Sequence, residues 1–131
     1  MGITVTDFLA VGDALEALPD EGSQRSGISR HYYAAMHGAT AWQGKLPGLA
    51  SSAHGPGGGS HQQLINKLRS PDNLCNAAQK TKSKLIGAKL DILRIRRVVA
   101  DYQLAQSLVP GDQAAQRVQA HTLVSDCSVS P

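Results

Sequence analysis

Hydrophobic residues recur at three- and four-residue steps along most of this chain, the period of helices that bury one face. The clearest case lies in a proline-free run over residues 23–46. There Ile28, Tyr32, Ala35, Ala39, Trp42 and Leu46 form one apolar stripe, and Gly44, Pro47 and Gly48 end the helix. Small residues (Ala34, Ala35, Gly38, Ala39, Ala41) crowd its middle and invite another helix to approach closely. An earlier helix is predicted over 6–18, with Thr4 or Thr6 as its cap, Asp7 in its first turn, and Phe8, Val11, Leu15 and Leu18 inward. A short helix capped by Ser60 carries Leu64, Ile65 and Leu68 and breaks at Ser70-Pro71-Asp72. The longest helix is predicted over 73–107 and has two stripes. One is Leu85, Ala88, Ile92, Ile95, Val99 and Tyr102; the other is Ile86, Leu90, Leu93, Ala100 and Leu104. Two apolar stripes imply neighbours on both sides, one within the domain and one in a second protomer. A last helix over 110–126 would turn Ala114, Val118, His121 or Thr122, and Val124 inward, and the tail 125–131 is expected to fray. The expectation is one all-α domain over 1–131, an up-and-down bundle of four to five helices, dimeric through its second and fourth helices.

Composition narrows this picture. In 131 residues the 41% hydrophobic share is ordinary, but aromatics are only 4%, so Ala, Leu, Val and Ile must fill the core. Cys75 and Cys127 are far apart and outside any CxxC pair, which argues against a disulfide framework or a thiolate metal site. No secretory leader or long apolar run is evident, so no membrane association and a cytoplasmic location are expected. The loop 47–60 is rich in glycine. Its Gly-Gly-Gly-Ser end offers backbone amides to a phosphate but reads foremost as a flexible linker. His54 and His61 flank the glycines without nearby carboxylates, and neither a metal nor another cofactor is expected.

The net charge of +3 is mild, but its distribution is uneven. Residues 67–97 hold nine basic side chains (Lys67, Arg69, Lys80, Lys82, Lys84, Lys89, Arg94, Arg96, Arg97) against Asp72 and Asp91. Such a stretch is either a solvated helix face or a surface for a single-stranded polyanion. On the second helix Arg30, Tyr33 and His37 fall within roughly 60° of one another, so a guanidinium, a phenol and an imidazole share one line. Arg97 and Asp101 are spaced to pair on the surface.

The stretch Ser29-Arg30-His31-Tyr32-Tyr33-Ala34-Ala35-Met36-His37-Gly38-Ala39 resembles the signature of HEPN-domain proteins, which are small all-helical modules. Leu93 to Tyr102, Leu-Arg-Ile-Arg-Arg-Val-Val-Ala-Asp-Tyr, is similar to the Arg-rich, Ala-Asp-Tyr stretch of the same subgroup. Ser60-His61-Gln62-Gln63-Leu64-Ile65 resembles the start of its middle helix. The resemblance implies an RNA or nucleotide ligand and two functions. One is a metal-independent endoribonuclease of toxin or defence type. Its His acts as general acid/base and its Arg stabilises charge on the phosphate, here Arg30 and His37 with Tyr33. The other is a non-catalytic nucleotide- or RNA-binding module, or an adaptor for a nucleotidyltransferase, another effector or an antitoxin subunit. Arg94, Arg96, Arg97, Asp101, Tyr102 and His61 are the binding candidates. Where toxin-type relatives place a later His, this chain has Ala100.

Overall fold

The computed structural model describes residues 2–50 and 59–131. Among these, five helices and no strand are present: α1 (Val5–Glu16), α2 (Glu21–Gln43), α3 (Ser60–Arg69), α4 (Ala77–Tyr102) and α5 (Asp112–Cys127). The all-α bundle is as the periodicity predicts. The phosphate-cradle expectation and His54 lie mostly or wholly outside the described residues.

Side-chain caps mark the starts of α1, α2 and α4, whereas α3 and α5 begin after Gly59 and Gly111 without one, so Ser60 opens its helix and does not cap it. The Thr4 hydroxyl accepts from the Asp7 amide while the Asp7 carboxylate accepts from the Thr4 amide. Asp20 caps α2 through the Ser23 amide, and Asn76 with Gln79 repeats the reciprocal pattern at α4. Asn76 therefore starts α4 three residues later than the hydrophobic pattern indicates. Its other end also stops early, at Tyr102. There the Arg25 guanidinium of α2, 8% exposed, donates to the carbonyls of Val99, Ala100, Gln103 and Gln106. The Val99 and Gln103 carbonyls also accept from the Gln103 and Gln106 amides. Carbonyls run short of backbone partners at a helix C-terminus, and a cation is the favourable group to meet them.

Helix α2 touches each of the other four helices. Its predicted stripe is the centre of the core: Ile28, Tyr32, Ala35, Ala39, Trp42 and Leu46 are all buried. Helix α1 approaches α2 closely at Gly27, where an added Cβ would sit 3.1 Å from the Glu16 amide nitrogen and the Gly12 carbonyl of α1. Helix α4 crosses α2 in the opposite direction, so that Arg25 meets its end and Trp42 lies under the Lys82 ammonium near its start.

The two stripes of α4 have different fates. Ile86, Leu90, Leu93 and Ala100 are buried, while Leu85, Ile92, Ile95 and Tyr102 are about half exposed or more, and Leu104 lies beyond the helix on the surface. Inward assignments in α1 and α5 are corrected. In α1, Leu9 and Gly12 are buried, and Val11 and Leu18 are exposed. In α5, Gln116, Ala120, Leu123 and Cys127 are buried, whereas Ala114, Val118, His121 and Thr122 are exposed and Val124 is half-buried. A polar residue holds the inward place because Gln116 donates to the carbonyls of Ile28 and Leu93, which ties α5 to α2 and α4. The helix also continues to the buried Cys127, past the point where fraying was expected. Both cysteines are free and buried, and burial pushes the Cys127 thiol up to about 11. No helix among the described residues is long and apolar enough to cross a membrane.

Candidate functional site

The predicted trio on α2 does not converge. Arg30 and His37 are both exposed and both contact the Phe8 ring of α1: the guanidinium is 5.9 Å from its centroid, and the imidazole stacks at 5.5 Å. Phe8 is a large ring at the α1–α2 seam, and its two polar neighbours cover it. Tyr33 turns the other way, toward α4. Three residues on one line of an isolated helix are thus divided by the two helices packed against it.

A different group does come together, between α2, α3 and α4. The Arg97 guanidinium donates from Nε to the Asp101 carboxylate at 2.9 Å and from Nη2 to the Tyr33 hydroxyl at 2.9 Å. A longer contact of 3.4 Å reaches the Tyr102 hydroxyl. The same guanidinium lies 5.3 Å from the Tyr33 ring centroid and 5.2 Å from that of Tyr102, within cation–π range. Asp101 also accepts from the Ser29 hydroxyl of α2 at 3.1 Å. The two stretches that carry the resemblance therefore meet in space: Ser29 and Tyr33 from the first, Arg97, Asp101 and Tyr102 from the second. The third stretch joins them through His61. Its Nδ1 shares a 2.8 Å hydrogen bond with the Tyr32 hydroxyl, and its ring stands edge-on to Tyr33 at 5.7 Å.

The electrostatics of this cluster are positive. Burial pushes the Tyr32 phenol up to about 12, so it is a neutral hydroxyl at physiological pH. Burial also lowers the His61 imidazole, and the Arg97 and Arg94 guanidiniums lower it further, which favours a neutral ring. For Arg97, burial acts to lower the pKa, but Tyr33, Asp101 and Tyr102 outweigh it and hold the guanidinium charged.

The parts differ in accessibility. The Arg97 side chain is only 11% exposed and is matched by Asp101. Arg94 is more open and shares Asp91 with Arg69, so two guanidiniums face one carboxylate. Tyr102 is the exposed ring, at 68%. Arg96 is not part of the cluster. It donates to Gln116 and Gln119 of α5, on another side of α4. Ala100, where the toxin-type proteins of the resemblance carry His, is buried in the core.

Sequence reasoning named Arg94, Arg97, Asp101, Tyr102 and His61 but assigned Tyr33 to the wrong company and passed over Ser29 and Tyr32 as site residues. No protein-family model matches this chain, no curated protein matches it and no solved structure matches it, so the HEPN resemblance stands on the quoted residues and on their meeting around Arg97.

Proposed function

We propose that the chain is a HEPN-type module that binds RNA or a nucleotide over the α2–α3–α4 cluster. The observation that carries this reading is the convergence of Arg94, Arg97, His61, Tyr33 and Tyr102 from three helices that are distant in sequence. Guanidinium groups suit phosphate oxygens. An exposed phenol offers a face on which a base can stack. Arg97 is largely covered and paired, so its part is to hold Tyr33 and Tyr102 in place. Phosphate contact falls to Arg94 and Arg69, and base contact to Tyr102. A single strand along this ridge meets fewer carboxylates than basic groups. The second protomer expected from the sequence would cover Leu85, Ile92 and Ile95 of the exposed α4 stripe and must stop short of Tyr102, which ends the same stripe, for the cluster to stay open.

The test is binding of a labelled single-stranded RNA, followed by fluorescence anisotropy across a range of salt. Tyr102→Ala should weaken binding about tenfold, the loss expected for one stacked base. Arg94→Ala should weaken it and reduce the salt slope by about one phosphate contact. Arg96→Ala should leave both unchanged. Equal losses in all three variants would defeat the proposal.

A second reading, metal-independent endoribonuclease, is favoured by one observation: a half-buried imidazole held toward neutrality stands beside a guanidinium. His61 would take the proton of an RNA 2′-hydroxyl as its oxygen attacks the adjacent phosphorus. A proton is then returned to the departing 5′-oxygen, leaving a 2′,3′-cyclic phosphate and a 5′-hydroxyl. Cleavage in EDTA that is lost in His61→Ala and kept in His37→Ala supports this reading. Loss in His37→Ala alone returns the chemistry to the Phe8 side.

A further inference from the structure

The opposite flank of α2 carries a second polar cluster that the RNA-binding reading does not use. The imidazole of His31 is completely buried, and its Nε2 lies 2.7 Å from an Asp13 carboxylate oxygen of α1. His121 of α5 brings its Nε2 to the same carboxylate, at 2.9 and 3.0 Å from its two oxygens. One ligand atom from each of the three side chains lies within 4.8 Å of the others. Two imidazole nitrogens and one carboxylate, from three helices, are the donor set of a first-row divalent metal site.

Several features set this apart from a chance surface group. The His31 Nδ1 is buried without a hydrogen-bond partner, in either tautomer, at a cost of about 1–3 kcal/mol. An aliphatic side chain would fill the space without that cost. The facing residue of α1 is Gly12, where a Cβ would come within 2.7 Å of the ring. Space has therefore been made for an imidazole at this place. Asp13 and His121 are each about 40% exposed, so an ion has a route in and an outward coordination position for water. Glu16 and Arg117 flank the group and pair with each other at 2.5 Å, so no net charge from them opposes a cation.

All three ligand atoms lie within 4.8 Å of one another, so an ion between them requires the side chains to adjust. Tetrahedral ligands at zinc distances stand about 3.3 Å apart. The present separations from Asp13 are shorter by about half an ångström, as hydrogen bonds are. Rotation of the exposed Asp13 and His121 side chains opens them, while His31 stays fixed by packing. We propose that Asp13, His31 and His121 form a binding site for a zinc-class divalent ion, with a solvent-facing fourth position.

The test uses the full, untagged chain with Co²⁺ and Zn²⁺ as probes. Co²⁺ titration should saturate at one equivalent, with the visible absorption of nitrogen and oxygen ligands and no thiolate charge-transfer band. Zn²⁺ should raise the melting temperature, and EDTA should reverse the rise. His121→Ala changes an exposed residue, and its folding is checked by circular dichroism. That variant and Asp13→Asn should lose at least tenfold in affinity. His37→Ala should bind as the wild type does. Failure of the wild type to saturate overturns the proposal. So does unaltered binding by folded His121→Ala, or a fall in melting temperature for both variants that is the same with and without Zn²⁺. Those outcomes would make the cluster a hydrogen-bonded clasp between helices and no more.

Discussion

Helix α2 has two polar flanks, and they are built on different chemistry. The flank toward α3 and α4 is cationic and aromatic: Tyr32, Tyr33 and Ser29 meet Arg97, Asp101, Tyr102 and His61. The flank toward α1 and α5 joins imidazoles to acidic groups: His31 meets Asp13 and His121 beside the Glu16–Arg117 pair. Both networks place one fully buried ring, Tyr32 or His31, at their root and exposed groups at their rim. The root fixes geometry because a packed ring cannot move. The rim can rearrange around a ligand. What differs is the ligand proposed for each rim, an anion with a base on one side and a cation on the other.

The largest loss of stability is expected from Arg97→Ala. It removes the partner of a partly buried carboxylate along with two hydroxyl contacts. Hydrogen bonds to charged groups contribute about 1.5–3 kcal/mol, and the fall in urea unfolding free energy should be of that size. Asp101→Asn made in the Arg97→Ala background should then recover part of the loss. Full additivity of the two changes would show that the pair does not act as a unit.

Gly12→Ala tests the other flank. The new methyl meets the His31 ring at a separation that packing does not allow, and overpacking of this kind costs about 1–3 kcal/mol. The same change should lower affinity for Co²⁺. A variant as stable as the wild type would mean that His31 has room to turn aside.

The way each flank was read from the sequence differs for a physical reason. The stripe through Tyr32 and Trp42 was legible because large side chains recur at the helical period and all of them are buried. Arg97, Asp101 and Tyr102 were legible as a group because they lie within six residues and resemble a known stretch. Their link to Tyr33 was not, because a lone helix places Tyr33 in line with Arg30 and His37, and only packing divides them. Asp13, His31 and His121 left no local pattern: 18 and 108 residues separate Asp13 from its two imidazoles. In α5 the rule that apolar residues face inward failed at Gln116, whose amide finds two core carbonyls, and at Val118, which stays outside.

A smaller effect separates the roots. Tyr32→Phe removes one hydrogen bond to His61 and should cost about 1 kcal/mol. The pH dependence of stability gives a further check. His61 has a folded pKa below its unfolded value near 6.5, so the unfolded chain binds the proton more readily. Its contribution to stability is present above pH 6.5 and is lost as pH falls through that value toward the folded pKa. His61→Gln should flatten this part of the profile. An unchanged profile would assign the dependence to His31, whose imidazole burial also lowers.

The most direct measurement is a titration of single-stranded RNA into ¹⁵N-labelled protein, followed by amide chemical shifts. Shifts gathered at Tyr33, His61, Arg94 and Tyr102, with little change around Arg96, Gln116 and Gln119, are the result expected of a site on the α3–α4 flank. Shifts centred on the α1–α5 flank, or none at RNA concentrations well above the protein's, would contradict it.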